Sequence, residues 1–302
     1  MKEKLQNDRA LLPRTDLALE DFDGLDGTQR GEEEIYYSDS GKIRVASLSI
    51  VTRQAEERLN RRRGRYVTVI FPHVSLLSES AELLLSKILA DKLLRLAKSV
   101  IGKDSKTFTV LVVGLGNCGV TADSIGPLTA DAVSPTSHIA RRNCGLLESL
   151  NMSKISVFTP SVAGKTGMET AELVRAAANI SSPELIVAVD ALSSLSCERI
   201  GKTIQLTDAG ISPGAGVGNH LTPLNVKTLG VPVISIGAPT VVDSAVLIED
   251  ALERAGVEMP QKLADSLIRG KRFLVCPRDC DVVAERSAKI ISSAIKLAFG
   301  GV

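Results

Sequence analysis

The chain has 302 residues, of which 44% are hydrophobic and 24% charged, which is enough apolar material for one large or two modest folded domains. Lysine and arginine (36) nearly balance aspartate and glutamate (35), and the net charge of +1 excludes a strong overall field that would hold nucleic acid or an anionic membrane. Six Phe, three Tyr and no Trp argue against a surface on which bases stack.

No apolar run reaches the roughly 20 residues of a membrane span, so we expect no membrane contact. The balanced charge and the few aromatic residues lead us to expect no direct sequence-specific binding of nucleic acid. The five cysteines have no repeated spacing, and the N-terminus lacks a basic region followed by an apolar stretch. We therefore expect reduced thiols and a cytoplasmic protein.

The first forty residues differ from the rest of the chain. They are polar and acidic around one apolar island, Leu17–Leu19. Because such a composition buries little apolar surface, we expect a mobile or detachable N-terminal segment.

From residue 43 onward, β-branched runs alternate with helical patterns. The predicted strands are Tyr66–Phe71, Thr107–Val113, Ile155–Phe158, Leu185–Val189, Ile204–Leu206 and Val231–Ile236, and the predicted helices are Glu79–Ile101, Gly167–Ile180 and Asp279–Phe299. Leucines 85, 89, 93 and 96 give the first helix one apolar stripe. The alternation predicts an α/β fold, a mostly parallel twisted sheet with helices on both faces.

Two motifs suggest phosphate chemistry. Gly114–Gly119 matches GxGxxG after an apolar strand, but no helix is predicted to begin at its glycines, so a dinucleotide site has little support. Thr159–Thr166 resembles a phosphate-binding loop, with Lys165 and Thr166 in place and the first glycine missing. A nucleotide hydrolase centred on these two residues therefore stays open.

Two acidic residues follow predicted core strands: Asp123 in the loop after one, and Asp190 at the carboxyl end of another. The carboxyl ends of parallel strands face the ligand crevice of an α/β sheet. Two carboxyls that converge on one water could serve as general base and general acid. The alternative is that each residue caps the next helix.

Further candidates are less specific. The glycine-rich stretch 210–219 must be a loop, and His220 after it could join Asp123 and Asp190 as a metal ligand, although spacing alone predicts no metal. The arginines at 61, 62, 63 and 65 fit a solvated helix end, or a contact with phosphates.

Ordered motifs run through nearly the whole chain: Arg14–Glu20, Gly64–Thr68, Val113–Asn117 with Asp123 and Gly126–Pro127, Gly164 with Thr166–Thr170, Val189–Leu192, Pro213–Asn219 and Gly237–Asp243. Together they resemble the germination protease family of spore-forming bacteria, endopeptidases that degrade the small acid-soluble proteins coating spore DNA. Any one motif alone would be weak, whereas the ordered set is highly specific.

The resemblance implies a fold similar to that of the hydrogenase-maturation endopeptidases, a homotetramer in the forespore or spore core, and no required cofactor. It implies an aspartic-type peptidase with Asp123 and Asp190 as the catalytic acids. It also implies a zymogen cut between Asp16 and Leu17. Residues 1–16 would then be a propeptide and 17–302 one α/β peptidase domain, with 17–42 an acidic linker-like segment.

Glycine loops would shape the peptidase crevice and hold the oxyanion through backbone N–H groups. The residues proposed for this part are Gly114, Gly116, Asn117, Gly214, Gly216, Gly218 and Asn219. Two alternatives remain beside the peptidase: the nucleotide hydrolase, and a catalytically silent binding member of the same fold.

Overall fold

The computed structural model describes residues 15–20, 27–31, 33–59, 61–105, 107–214, 221–269 and 273–300. Across these residues one sheet contains ten strands: β1 (Thr28–Arg30), β2 (Glu34–Ser38), β3 (Gly41–Ile50), β4 (Gly64–Ile70), β5 (Thr109–Gly114), β6 (Lys154–Phe158), β7 (Leu185–Ser194), β8 (Thr203–Thr207), β9 (Val233–Asp243) and β10 (Leu274–Val275). The helices within these ranges are α1 (Arg53–Leu59), α2 (Glu79–Ile101), α3 (Ile125–Ala132), α4 (Ser137–Arg142), α5 (Cys144–Ser149), α6 (Ala163–Thr166), α7 (Thr170–Ser181), α8 (Val226–Leu229), α9 (Ser244–Arg254), α10 (Gln261–Arg269) and α11 (Cys280–Ile295).

The strand order is β1-β3-β4-β8-β9-β7-β5-β6, with β2 paired to β3 and β10 to β9. Strands β6, β5, β7 and β9 are parallel to one another, whereas the other pairs are antiparallel. The predicted α/β class with a parallel sheet is confirmed, and the sheet extends beyond it into an antiparallel half. Each predicted strand is present, and β7 and β9 run well past their predicted ends.

One face of the sheet carries the larger apolar core. Alternate residues of the central strands, Val112, Val187, Val189 and Ile236 among them, pack there with α2 and α11. Helix α2 has the predicted limits: the Ser78 side chain accepts from the Ala81 N–H at 3.1 Å, and Gly102 ends the helix at φ 72°.

The opposite face is divided. One apolar cluster, which includes Leu111, Val174 and Ile186, lies under α7, and a second, which includes Ala18 and Tyr66, lies over β3 and β4. Between the two clusters, the sheet presents polar side chains. This uncovered middle is where the candidate site lies.

The N-terminal region departs from the prediction. Residues 28–30 and 34–38, expected to be mobile or linker-like, form β1 and β2, which pair with β3. Composition failed here because an edge strand gains order from backbone hydrogen bonds to its neighbour, so its outward side chains can stay polar. Residues 1–14 and 21–26, part of the predicted propeptide and linker, lie outside the described residues.

Among the helices that the structure describes, none is both long enough and apolar enough to cross a membrane.

Candidate active site

Asp190 lies inside β7 rather than at its end. The strand runs on to Ser194 because it keeps pairing with β9, from Asp190 opposite Gly237 to Ser194 opposite Val242. On its other side, β5 ends where Gly114 pairs with Val189. The Asp190 side chain therefore lies where the neighbouring strand stops, and its interpretation as a helix cap is wrong, since strand residues follow it.

Asp123 ends a single 3-10 turn, Thr121–Asp123, in the loop between β5 and α3. The Asn117 N–H donates to the Asp123 carbonyl at 2.9 Å, and the Thr240 hydroxyl of β9 donates to the Ala122 carbonyl at 2.6 Å. These bonds fix the loop against the sheet. Ser124, not Asp123, is the N-cap of α3, so the capping interpretation is also wrong for Asp123.

The two acids lie close enough to influence each other. Burial, reinforced by the negative charges of Asp123 and Asp16, raises the pKa of the Asp190 carboxyl well above its ordinary value. Burial also raises the pKa of Asp123, while the Asn117 backbone N–H opposes that rise. Two carboxyls with raised pKa values hold a proton more readily than two exposed aspartates would, which suits general acid–base chemistry.

The glycines of the predicted oxyanion loop allow close packing. A Cβ on Gly114 would lie 2.4 Å from the Gly126 carbonyl oxygen, and one on Gly116, at φ 108°, would lie 2.2 Å from that of Asp123. Asn117 does not fit the predicted role, because its N–H is already donated to Asp123. Gly214 takes φ 69°. Gly216, Gly218, Asn219 and His220 lie outside the described residues.

The predicted cleavage sequence packs onto the divided face, beside the acids. The Asp16 N–H donates to the Ser193 carbonyl at 2.9 Å, and its carboxylate accepts from the Ser193 N–H at 2.8 Å. The Glu20 carboxylate accepts from the Ser194 hydroxyl at 2.6 Å and the Leu195 N–H at 2.8 Å. Leu17 is 1% exposed. Residues 15–20 are thus a peptide bound along the end of β7.

Two residues that sequence analysis did not assign to the site hold the same segment. Gln205, in β8, and Arg61, just before β4, both bond to its backbone. The arginine run therefore does not fit a uniformly solvated helix end: Arg65 pairs with Asp208 at 2.8 Å, and Arg63 with Glu56 at 3.1 Å. In the sequence, the signal that could have pointed to Gln205 is its position as a polar residue between Ile204 and Leu206 in a predicted strand.

The phosphate-loop hypothesis has little structural support. Helix α6 after β6 is only four residues long and ends at Gly167, at φ 70°. The Thr166 hydroxyl donates to the carbonyl of Met168 at 3.2 Å, and Pro160 has no N–H to offer a phosphate. Within the described ranges no group of three or more His, Cys, Asp or Glu side chains could hold a metal, and the His220 ligand hypothesis cannot be placed among them.

A sequence model of the germination protease family matches residues 23–266. The germination protease of Clostridium tetani is 35% identical to this chain over 312 residues, covering 94% of each. The chain belongs to the germination protease family. The Oceanobacillus iheyensis germination protease is 37% identical over 248 residues, covering 80% of this chain and 66% of its own. A solved [NiFe] hydrogenase maturation protease, HycI from Thermococcus kodakarensis, shares 17% identity with a TM-score of 0.32, over 63% of this chain and 94% of its own.

As a germination protease, the chain is an endopeptidase that acts in spore germination. The prediction made from the ordered motifs is thereby confirmed at the level of family and activity. The reaction of this chain is therefore the hydrolysis of a peptide bond.

Proposed function

We propose that Asp123 and Asp190 are the catalytic acids of this germination protease, and that the first bond they cut is Asp16–Leu17 of their own chain. The observation that carries the proposal is the binding of Asp16 to Ser193 of β7, the strand that carries the buried Asp190. The negative charges of both Asp123 and Asp16 raise the pKa of the Asp190 carboxyl, which supports a reaction centre at this point. Residues 1–16 then form the propeptide, and 17–302 the mature enzyme.

The pKa shifts suggest how the two acids divide the work. We assign the role of general acid to Asp190, whose pKa is raised well above its ordinary value, and the role of general base to Asp123. Asp123 takes a proton from water while the water oxygen bonds to the carbonyl carbon of Asp16. The resulting tetrahedral intermediate breaks its bond to the Leu17 nitrogen, which receives the Asp190 proton. The products are a carboxyl group on Asp16 and an amine on Leu17.

The substrate class is inferred from the family resemblance together with the bound segment. An enzyme that binds Thr15–Glu20 of its own chain will bind a similar sequence in another protein, and the small acid-soluble spore proteins, which the resemblance implies as substrates, are the proposed ones. Their degradation would take place in the spore core, with the enzyme as a homotetramer. The mechanism above uses no cofactor.

The test follows the intact mass of the purified full chain over time, at mildly acidic and at neutral pH. We expect wild type to lose residues 1–16, and Asp123→Asn and Asp190→Asn to stay whole. Removing a general acid or base slows a reaction by roughly 10²–10⁴-fold. Asp131→Asn, an exposed acid on α3, is the matched control and should process like wild type.

A parallel series with a chelator tests the metal hypothesis. Loss of processing that zinc or nickel restores would replace the metal-free mechanism with one in which His220 joins the acids. If wild type and both variants stay whole and none cuts a peptide with the Thr15–Glu20 sequence, the proposal is wrong, and the silent binding member explains retained peptide binding better.

A further inference from the structure

The carbonyl group of Asp16, the one that self-processing would attack, has two side-chain donors. Its oxygen accepts from Gln205 Nε2 at 2.8 Å and from Arg61 Nη1 at 3.1 Å. We propose that Gln205 and Arg61 form the oxyanion-binding site of this enzyme. The inference rests on the proposed function, because it assigns these donors to the Asp16–Leu17 bond.

Gln205 binds both sides of that bond. While its Nε2 donates to the Asp16 carbonyl, its Oε1 accepts from the Ala18 N–H at 2.7 Å. The residue is only 5% exposed, so both ends of its amide are kept satisfied by the bound segment. The Gln205 side-chain amide, whose oxygen and nitrogen both bond to the backbone of the segment, is therefore placed to hold an extended peptide.

The register of the sheet places Gln205 two strands from Asp190. Gly237 of β9 pairs with Gln205 on one side and with Asp190 on the other. Residues paired in this way share one face of the sheet, and two strand spacings separate them by about 10 Å. Gly237 contributes no side chain between them, and a Cβ there would lie 2.5 Å from the Asp190 carbonyl oxygen. The bound segment reaches both strands, since it bonds to Gln205 of β8 and to Ser193 of β7.

Arg61 binds the segment from its other side. Besides its bond to Asp16, its Nη2 donates to the carbonyls of Thr15 at 2.9 Å and Leu17 at 3.0 Å. A guanidinium is a positively charged group with several N–H donors in a fixed plane. A fixed positive charge at hydrogen-bond distance attracts the carbonyl oxygen more strongly as that oxygen becomes negative.

The chemistry needs donors at this atom. When the water oxygen bonds to the Asp16 carbon, the electron pair of the C=O bond moves onto the Asp16 oxygen, where Gln205 and Arg61 already donate. When the C–N bond breaks, that pair returns to re-form the C=O bond. The predicted glycine-loop donors are not needed for this part, which agrees with the use of the Asn117 N–H elsewhere.

The experiment measures the first-order rate of self-processing of the full chain by intact mass, at several protein concentrations. Gln205→Met has similar length and no donor, and Gln205→Glu keeps an acceptor for the Ala18 N–H. We expect both to process about 10²-fold more slowly, as when one oxyanion donor is removed. Arg61→Lys, which can no longer reach three carbonyls, should also be slower by at least about tenfold.

Two measurements separate chemistry from folding. Arg63→Ala, in the same arginine run but paired with Glu56 away from the segment, should process like wild type. Amide exchange followed by mass spectrometry should show residues 15–20 of Gln205→Glu as protected as in wild type. If a variant processes slowly but still binds residues 15–20, the substitution has removed the hydrogen bond to the Asp16 carbonyl and has not disrupted the fold.

The outcomes distinguish the two proposals. If wild type never cuts at Asp16–Leu17, the proposed function and this inference both fall. If wild type cuts there, Asp190→Asn does not, and the Gln205 and Arg61 variants process within threefold of wild type, only the oxyanion assignment is overturned.

Discussion

The two faces of the sheet are built differently. On one face, side chains from parallel and antiparallel strands alike join a single apolar cluster under α2 and α11. On the other, two smaller clusters leave a polar middle, where Asp190 and Gln205 project and residues 15–20 bind. The same strands contribute to both faces, since successive residues point in opposite directions.

This difference indicates how the fold combines stability with a reactive site. Strand β7 places Val187 and Val189 in the larger core and Asp190 in the polar middle. The core face can support a buried acid on the other side because burial of apolar surface offsets the cost of desolvating a carboxyl. Changes on the core face should therefore lower stability, whereas changes in the polar middle can lower activity without lowering stability.

The largest effect is expected on the core face. Leu89→Ala removes a side chain that is 0% exposed at the centre of α2, and should lower the free energy of unfolding by about 2–5 kcal/mol. Denaturant unfolding checks this value, with Leu83→Ala, at a 50% exposed position on the same helix, expected within about 0.5 kcal/mol of wild type. If both substitutions lower the free energy of unfolding equally, the apolar stripe of α2 does not supply the contacts of this helix with the core.

A smaller effect of opposite sign is expected in the polar middle. The folded pKa of Asp190 is raised, so wild type loses stability as the pH rises from the ordinary aspartate value through the folded one. Asp190→Asn avoids that loss and can still accept from the Ala191 N–H. We expect it to be more stable than wild type at pH 7.

This advantage should disappear below about pH 4, where the Asp190 carboxyl is uncharged in the unfolded chain as well as in the folded one. Thermal unfolding over the pH range measures it, with Asp131→Asn as the exposed control. An Asp190→Asn protein that is less stable than wild type at pH 7 would contradict the assigned cost of the buried charge.

The smallest effect concerns recognition at the far end of the segment. The Glu20 carboxylate accepts from the Ser194 hydroxyl and the Leu195 N–H. Glu20→Gln replaces these charge-assisted bonds with neutral ones, and should slow self-processing by about threefold to tenfold. The rate by intact mass checks this, with the exposed Glu79→Gln as control. An unchanged rate would mean that Glu20 anchors nothing that cleavage needs.

Periodicity predicted much of the architecture. The leucine stripe of α2 and the apolar runs of β5 and β7 are strong local signals, because burial on one face repeats at the helical or strand period. The convergence of Asp123 and Asp190 was also predictable, since loops at the carboxyl ends of parallel strands meet at one edge.

The rest depends on contacts distant in sequence. Strand β7 continues through Asp190 to Ser194 because β9 runs beside it, and no pattern within residues 190–194 reports that partner. Arg61 binds carbonyls about 45 residues earlier in the chain, and β1 and β2 are ordered by β3. Pairing over such separations is set by the whole fold rather than by local propensity.

The single guanidinium of Arg61 spans three consecutive carbonyls, those of Thr15, Asp16 and Leu17. The three hydrogen bonds act as a chelate: while the backbone is continuous, each bond keeps the other two carbonyls close to the guanidinium. Cutting after Asp16 divides the chelate, with two carbonyls on one fragment and one on the other. The released piece, residues 1–16, then dissociates with its own, weaker hold, whereas residues 17–20 stay tethered to the enzyme, so scission itself begins to empty the cleft for the next peptide.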